Sequence, residues 1–361
     1  MIRVLFLYRY GILGGVCTQI HHRLLKLKDS PIEVHCGFMS NQGAEELLEG
    51  LCFLHFSLDV EKMQRLVNDV EFDVIVVIDT EEYIEKISQM ESSPPIIIEV
   101  HTSIERNLEY LKRLPDSIDA KFITVSQYMK GEIEKRVEVS EEDLLVIGNI
   151  VDGDKFYYTP VKSENDNSYP PLVWIGKIDD HKNWRLAMEI SSMLNIDGIK
   201  HELWIIGGHT ANQNTTEEFF STAEELGIIE GLKWFDKIKH DEMPNMLRSA
   251  IRRGGIGLVT SKGESFGMSI LESLLAGLPV ICSNTGAIPE LCQNQEYMPI
   301  FDLEDKHKAK NEVAGLIGEW VKNDEFLEMV EKETERLAER YSSEDIGERY
   351  WRKIIEISKE K

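Results

Sequence analysis

Cysteine is scarce in this chain of 361 residues, which contains only five. They are Cys17, Cys36, Cys52, Cys282 and Cys292, widely spaced and without a CxxC pair. The sequence therefore predicts neither a disulfide framework nor a zinc site, and a reducing, cytoplasmic location is expected. No apolar run reaches the roughly 20 residues that a transmembrane helix needs, so none is predicted.

Positive charge is also in deficit. The chain has 40 lysines and arginines against 64 aspartates and glutamates, a formal net charge of −24. Acidic residues exceed basic ones on both sides of residue 150. Nucleic acids and anionic membranes both need a net basic face, so neither nucleic-acid binding nor direct membrane docking is expected. A function that binds anions would need a local cluster of cations.

What the chain does have is a regular alternation of short apolar runs and longer amphipathic segments. Many of the apolar runs are continuous, which is typical of strands buried on both faces. The predicted strands are 3–8, 32–38, 72–78, 95–100, 122–125, 172–175, 201–206, 232–235, 256–259 and 278–282. The clearest helical patterns between them are 16–28, 60–70, 127–137, 183–194 and 217–226. This alternation predicts two Rossmann-like α/β domains with parallel sheets, whose ligands bind at the carboxyl ends of the strands.

The most informative segment is 263–281, which predicts a loop, a helix opened by Glu264 and Ser265, and a further strand. Glu264 and Glu272 are eight residues apart, so two helical turns would place both carboxylates on one side of the helix. Its first turn, 267–269, would offer backbone N–H groups to an anion. Taken alone, such a glutamate pair is the ordinary pattern of an exposed helix face.

The surroundings of this pair resemble the signature of the family-4 retaining glycosyltransferases (glycosyl transferases group 1), which have the GT-B fold. The shared features are two glutamates with seven residues between them, Phe-Gly at 266–267, and Ala-Gly-Leu-Pro-Val at 276–280. The continuation at 284–290, Asn-Thr-Gly-Ala-Ile-Pro-Glu, resembles the same family.

The resemblance extends upstream. Segment 174–183 is similar to the family's Gly-Arg-Leu…Glu-Lys-Gly pattern, with Lys177 at the usual arginine, Lys182 at the lysine and Asn183 at the usual glycine. A lysine can neutralise a diphosphate oxygen but lacks the two-pronged donor plane of arginine. Residues 205–208 resemble the family's second-domain strand and glycine turn.

In the first half, Gly14 and Gly15 follow the first predicted strand and open a helix. Glycines there let backbone N–H groups approach a phosphate, although a tight turn would explain them equally. His101 ends a predicted strand, where the family has an active-site histidine; a hydrogen-bonded structural histidine is the alternative. Ser126 begins a predicted helix, and we expect it to be an N-cap.

A polar stretch at 162–168 before two prolines marks the predicted domain boundary. The resemblance implies that a C-terminal helix packs back on the first domain through Tyr350 and Trp351, and that the two sheets face an interdomain cleft. The predicted parts are an acceptor-side domain at 1–152, a linker at 153–169, a nucleotide-sugar donor domain at 170–342 and the returning helix at 343–361.

The resemblance implies retaining transfer of a hexose-type sugar from a nucleotide-diphosphate sugar to a hydroxyl acceptor, with a UDP-sugar preferred and GDP-mannose the alternative. The acceptor, whether a sugar, a glycan or another hydroxyl compound, stays open, and neither a metal nor another cofactor is expected. Glu264 would bind donor-sugar hydroxyls and Glu272 ribose hydroxyls. The implied catalytic residues are His101, Glu264 and Lys182. The implied donor-binding residues are Gly14, Gly15, Lys177, Lys182, Glu264, Ser265, Phe266, Gly267, Met268 and Glu272.

Two other functions stay open. One is a glycosyl phosphorylase on the same fold, although no lysine lies in a recognisable pyridoxal phosphate motif. The other is a catalytically silent subunit that only binds a nucleotide. Departures from the family pattern favour it: Lys177 and Asn183, and also Gly148 and Ile150, which stand where the family's interdomain segment usually has proline and glycine. The presence of both Glu264 and Glu272 argues against the silent subunit.

Overall fold

The structure is a computed structural model that describes residues 1–27, 30–115, 117–161, 168–341 and 343–360. Its contacts divide the chain into two units, Met1–Ile150 with Tyr341–Lys361, and Val151–Arg340. Residues 153–161, predicted as linker, thus belong to the second unit, where Phe156 is buried. The polar stretch at 162–167 lies outside the described residues.

The first unit contains a seven-stranded parallel sheet in the order β3-β2-β1-β4-β5-β6-β7. Its strands are β1 (Ile2–Ile12), β2 (Ile32–Gln42), β3 (Phe53–His55), β4 (Val74–Ile78), β5 (Ile96–Val100), β6 (Ala120–Thr124) and β7 (Leu144–Val146). Its helices are α1 (Gly15–Leu25), α2 (Ala44–Leu48), α3 (Val60–Asp69), α4 (Glu81–Ser88), α5 (Glu105–Leu108) and α6 (Gln127–Glu134), with a 3₁₀ helix at Glu109–Arg113. Every residue of β4 and β5 is buried; the uninterrupted apolar sequence of β4 predicts this, whereas β5 contains the charged Glu99.

The second unit contains a six-stranded parallel sheet in the order β10-β9-β8-β11-β12-β13. Its strands are β8 (Pro171–Ile175), β9 (Glu202–Ile206), β10 (Leu232–Phe235), β11 (Ile256–Val259), β12 (Val280–Ser283) and β13 (Ile300–Phe301). Its helices are α7 (Trp184–Ile196), α8 (Gln213–Glu225), α9 (Met243–Arg252), α10 (Met268–Leu275), α11 (Ile288–Leu291), α12 (Lys306–Leu316) and α13 (Asp324–Arg340). Three 3₁₀ helices lie at Ile229–Gly231, His240–Glu242 and Trp320–Lys322.

The last helix, α14 (Ser343–Ile357), belongs to the first unit. Tyr350 and Trp351 are buried there, and both rings lie against Phe6 of β1 at centroid distances of 6.5 and 6.1 Å. The Trp351 indole N–H donates to the carbonyl oxygen of Arg23 at 2.8 Å. The helix thus packs on β1, an interior strand of the first sheet.

Each sheet reverses its strand order at one point, between β1 and β4 in the first sheet and between β8 and β11 in the second. In open α/β sheets of this kind, ligands bind outside the carboxyl ends of the strands that flank such a reversal. The loops after β8 and β11 are therefore where a site in the second unit is expected. They contain Lys182 and Glu264.

Two features are absent from the ranges that the structure describes. Within them, no helix is long and apolar enough to cross a membrane. Over the same ranges, no group of three or more His, Cys, Asp or Glu side chains is placed to hold a metal ion.

Candidate functional site

Lys182 lies in the loop after β8, and hydrogen bonds anchor this loop to the end of β11. The hydroxyl of Thr260 lies 3.0 Å from the carbonyl oxygen of Lys182 and 2.9 Å from that of Asn183. The Trp174 indole N–H donates to the same hydroxyl at 3.0 Å. The Lys182 amide donates to Asp179 Oδ1 at 2.8 Å. The loop backbone is therefore held in place before any ligand binds.

Asn183 is in the left-handed region with φ of 53°. Glycine adopts this conformation at no steric cost, and asparagine is one of the few other residues that adopt it routinely. Asparagine at this position is therefore compatible with the left-handed backbone that precedes α7.

The prediction that Glu264 opens a helix was wrong. α10 begins at Met268, after Gly267 in the left-handed region with φ of 93°, and Glu264 lies in the loop after β11. The two glutamates are therefore not on one helical face, and the spacing argument for their common direction fails. The left-handed Gly267 delays the start of the helix by letting the chain turn before α10.

Glu264 forms an ion pair with Lys182. Lys182 Nζ donates to Glu264 Oε1 at 2.5 Å, and the hydroxyl of Ser261 donates to the same oxygen at 2.6 Å. Burial acts to raise the pKa of Glu264, but Lys182 and Ser261 outweigh it, and the pKa is lowered. Glu264 is thus an ionised carboxylate at neutral pH. In the part of the chain that the structure describes, its other oxygen, Oε2, has no hydrogen-bond partner.

The 284–290 motif supports Glu264 through the backbone. The Ala287 amide donates to the Glu264 carbonyl oxygen at 2.8 Å. Gly286 has φ of 59°, and a Cβ there would lie 2.3 Å from the same oxygen. The hydroxyls of Ser283 and Thr285 both donate to the carbonyl oxygen of Ser261. The last residue of β12 and the residues that follow it thus hold the loop that carries Glu264.

Glu272 lies on α10 and is 8% exposed. Its Oε1 is 3.1 Å from Nε2 of His240, at the start of the 3₁₀ helix that follows β10. Burial acts to lower the pKa of His240, but the Glu272 carboxylate raises it overall. Sequence reasoning missed His240; the only signal was a histidine in a loop after a predicted strand.

The glycine turn after β9 lies against the turn after β8. Gly207 and Gly208 have φ of 113° and 102°. A Cβ at Gly207 would lie 2.3 Å from the carbonyl oxygen of Gly176, and one at Gly208 would lie 2.6 Å from Ile178. The 205–208 pattern therefore reflects close backbone packing beside the Lys182 loop.

Lys177 is exposed at the start of the same loop. Across the described ranges its side chain has no hydrogen bond or ion pair. Ser265 and Met268 are half-buried on either side of the buried Phe266 and Gly267, in the segment that joins Glu264 to α10. The structure thus places all these predicted residues in the second unit, in or next to the loops after β8 and β11.

The remaining predicted residues lie in the first unit. Gly14 is extended, with φ of −176°, and Gly15 begins α1. A Cβ on either would approach no atom more closely than 4.0 Å, so neither backbone angle nor packing requires glycine.

His101 directly follows β5, and its Nε2 lies 2.8 Å from Glu99 Oε2. Ser126 caps α6 by accepting from the Met129 amide, which confirms the predicted N-cap.

Known proteins resemble parts of this chain. Residues 159–337, about half of the chain, match the family model "Glycosyl transferases group 1". The chain is 26% identical over 199 residues to a probable sucrose-phosphate synthase of Thermosipho melanesiensis, covering 54% of this chain and 43% of that protein. It is 24% identical over 148 residues to the D-inositol 3-phosphate glycosyltransferase of Corynebacterium glutamicum, covering 40% and 34%. The chain thus spans less than half the length of these curated relatives.

A likeness to solved structures extends over nearly the whole chain. The crystal structure of Anabaena HepE in complex with UDP-glucose superposes with a TM-score of 0.81 at 16% identity, covering 99% of this chain and 100% of that one. At this identity the likeness shows the fold alone. The predicted class, two α/β units with parallel sheets as in the GT-B fold, is confirmed.

Proposed function

Through residues 159–337 the protein belongs to the glycosyl transferases group 1, and we propose that it moves a hexose-type sugar from a nucleotide-diphosphate sugar to a hydroxyl acceptor. We further propose that the reaction retains the anomeric configuration, needs no metal ion and takes place in the cytoplasm.

The Lys182–Glu264 ion pair at the strand-order reversal of the second sheet carries this proposal. An ammonium group has three N–H donors, and Glu264 accepts from one. The Lys182 side chain is 24% exposed, so its other donors can reach a diphosphate oxygen. On a chain of net charge −24, this is the local cation that an anionic ligand needs.

The two glutamates supply acceptors for hydroxyl groups. One oxygen of each carboxylate is engaged, by Lys182 in Glu264 and by His240 in Glu272. The second oxygen of each can accept from a ligand hydroxyl. We assign Glu264 to the donor sugar and Glu272 to the ribose.

In the proposed reaction the bond between the anomeric carbon and the diphosphate breaks, and the acceptor oxygen bonds to that carbon on the same face. The acceptor proton passes to an oxygen of the departing diphosphate. Lys182 and Lys177 stabilise the negative charge that develops there, with backbone amides of 265–268 and of Gly14 and Gly15. Open space beside Gly14 and Gly15 supports this role, since the chain itself does not require glycine there. His101 contacts the sugar or the acceptor.

A UDP-sugar is the preferred donor, and GDP-mannose is the alternative. The UDP-glucose complex of the structurally similar HepE supports this order. The acceptor is a sugar, a glycan or another hydroxyl compound.

A thermal-shift screen with UDP-glucose, GDP-mannose, ADP-glucose and TDP-glucose tests the donor. We expect UDP-glucose to raise the melting temperature most, in EDTA as well as with Mg²⁺. Hydrolysis of the best donor then tests turnover, and NMR of the released sugar tests retention. A shift or turnover that appears only with Mg²⁺ would contradict the metal-free reaction.

Variants test the site itself. Glu272→Gln should reduce the thermal shift, because it weakens a ribose contact, whereas Glu225→Gln on the exposed face of α8 should leave it unchanged. If no nucleotide sugar shifts the wild-type protein, or Glu272→Gln binds equally well, the proposed donor site is wrong.

A further inference from the structure

A buried polar cluster in the first unit surrounds Glu99, on β5. Glu99 is 0% exposed, and its Oε2 accepts from Arg23 Nη1 at 2.7 Å and from His101 Nε2 at 2.8 Å. Its Oε1 accepts from the hydroxyl of Tyr350. Both carboxylate oxygens are therefore occupied by groups of the protein itself.

The cluster joins three elements that are far apart in sequence. Arg23 comes from α1 and Tyr350 from α14, and the Arg23 guanidinium lies 3.8 Å from the centre of the Tyr350 ring. The separation between Glu99 and Tyr350 is 251 residues. Through Tyr350, helix α14 therefore contributes to the polar cluster that contacts His101.

His101 receives its constraints from this cluster. Glu99 and His101 are two residues apart on an extended segment, which places their side chains on the same face of the sheet. The His101 amide donates to the carboxylate of Asp79 at 3.0 and 3.2 Å, so the backbone is held as well as the ring. Where the structure describes the chain, Nδ1 of His101 has no hydrogen-bond partner.

We propose that Glu99 is a positioning residue for His101, held in turn by Arg23 and Tyr350. The ionised carboxylate keeps the proton of the neutral imidazole on Nε2, so the lone pair is on Nδ1 and can accept a hydrogen bond from a substrate hydroxyl. The contact between His101 and substrate rests on the proposed function; the tautomer does not.

The chemistry of the cluster supports one tautomer. A carboxylate accepts hydrogen bonds only, so the ring nitrogen beside it must be the one with the proton. Burial acts to raise the pKa of Glu99, but Arg23, His101 and Tyr350 reverse this and bring the pKa to about 2. Three charged groups lie near the ring. Glu99 contacts its Nε2, Arg23 contacts Glu99, and Asp79 accepts from the His101 backbone amide.

NMR of protein labelled with ¹⁵N-histidine at pH 8 tests the tautomer without any assay of activity, with His101→Gln identifying the signal. We expect Nε2 of the wild-type His101 to be protonated and Nδ1 to be unprotonated. Glu99→Gln should populate the other tautomer, because an amide can donate to Nε2. A wild-type ring protonated at Nδ1, or an unchanged tautomer in Glu99→Gln, would overturn the proposal.

Tyr350→Phe covers the case in which Glu99→Gln does not fold, because it leaves the ion pair of Glu99 and Arg23 intact. We expect its Nε2 proton to exchange with water about tenfold faster, since Glu99 loses one constraint. Tyr83→Phe is the matched control: Tyr83 is another buried tyrosine of this unit, and its hydroxyl donates to the Leu58 carbonyl. Equal exchange in both variants would contradict the role of Tyr350.

Turnover distinguishes this inference from the proposed function. With UDP-glucose as donor, Glu99→Gln should lower kcat by on the order of tenfold or more, with little change in the donor KM. Absence of turnover in the wild type would contradict the proposed function while the NMR result stands. Unchanged kcat despite a changed tautomer would overturn the positioning role.

Discussion

Glu99 in the first unit and Glu264 in the second are both ionised carboxylates beside a cation, yet they differ in what remains available. Glu99 is 0% exposed, and both of its oxygens are occupied by side chains of the protein. The Glu264 side chain is 13% exposed, and its Oε2 has no partner in the described ranges. A saturated carboxylate can only hold its neighbours, whereas a half-occupied one can bind a ligand.

The cations differ in the same way. The side chain of Arg23 is 2% exposed, whereas Lys182 is partly open and has two N–H donors beyond the one that Glu264 accepts. Removal of the first should therefore affect mainly stability, and removal of the second should affect mainly binding.

The largest effect is expected for Arg23→Met, which leaves Glu99 buried without its cation. The free energy of unfolding should fall by about 3 to 5 kcal/mol, measured by urea denaturation. Arg113→Met is the control, because Arg113 pairs with Glu81 at the surface and its loss should cost about 1 kcal/mol or less. Equal losses of unfolding free energy in the two variants would show that Glu99 is not buried from solvent in the way the structure shows.

Lys182→Met should weaken UDP-glucose binding about tenfold to hundredfold, because a charged hydrogen bond to the diphosphate is lost. Calorimetry measures this affinity. Lys233→Met removes an exposed charge from β10 and should leave the affinity unchanged. Equal affinities of Lys182→Met and the wild type would exclude Lys182 from the donor site.

Acid should remove the stabilising contributions of both carboxylates. The pKa of Glu99, about 2, is below its ordinary value of 4.5, so its contribution to stability is present above pH 4.5 and disappears as pH falls towards 2. The pKa of Glu264 is lowered too, and its contribution disappears in the same direction. Urea midpoints from pH 7 to pH 3 should therefore fall less steeply in Glu99→Gln than in the wild type. Parallel curves would contradict the lowered pKa.

The smallest effect is expected at Asn183, whose left-handed backbone precedes α7. Asn183→Ala should lower the free energy of unfolding by about 1 kcal/mol, because alanine adopts this conformation less readily. Thermal melts measure the change. Asn195→Ala, at an exposed position inside α7, should be neutral or slightly stabilising. A neutral Asn183→Ala would show that the loop does not depend on this conformation.

The central strands of both sheets were predictable from the sequence. Predicted strand 256–259 coincides with the interior strand β11, because a strand buried on both faces leaves a continuous apolar run. The edge strand β10 was predicted, whereas the shorter edge strands β3, β7 and β13 were missed. They have two or three residues each and pair on one side only, so no run or alternation marks them.

The candidate site was predictable in part. Sequence motifs pointed to Lys182 and Glu264, but the helical spacing offered as a reason was wrong, since Glu264 precedes α10. His240 was missed because only the fold brings it to Glu272, 32 residues away. The roles of His101, Gly14 and Gly15 stay predictions, and so does the cleft between the domains.

By itself the sequence determined that the chain forms parallel α/β sheets, carries the glutamates and lysines of a family signature, and must concentrate its cations locally. These properties follow from local patterns, since burial on two faces and turn chemistry are encoded within a few neighbouring residues. Only the tertiary structure decided that the Glu99 carboxylate is fully buried and occupied, whereas the Glu264 carboxylate has an oxygen that can bind a ligand. That distinction depends on contacts such as Tyr350 with Glu99, and contacts between residues 251 positions apart leave no local pattern.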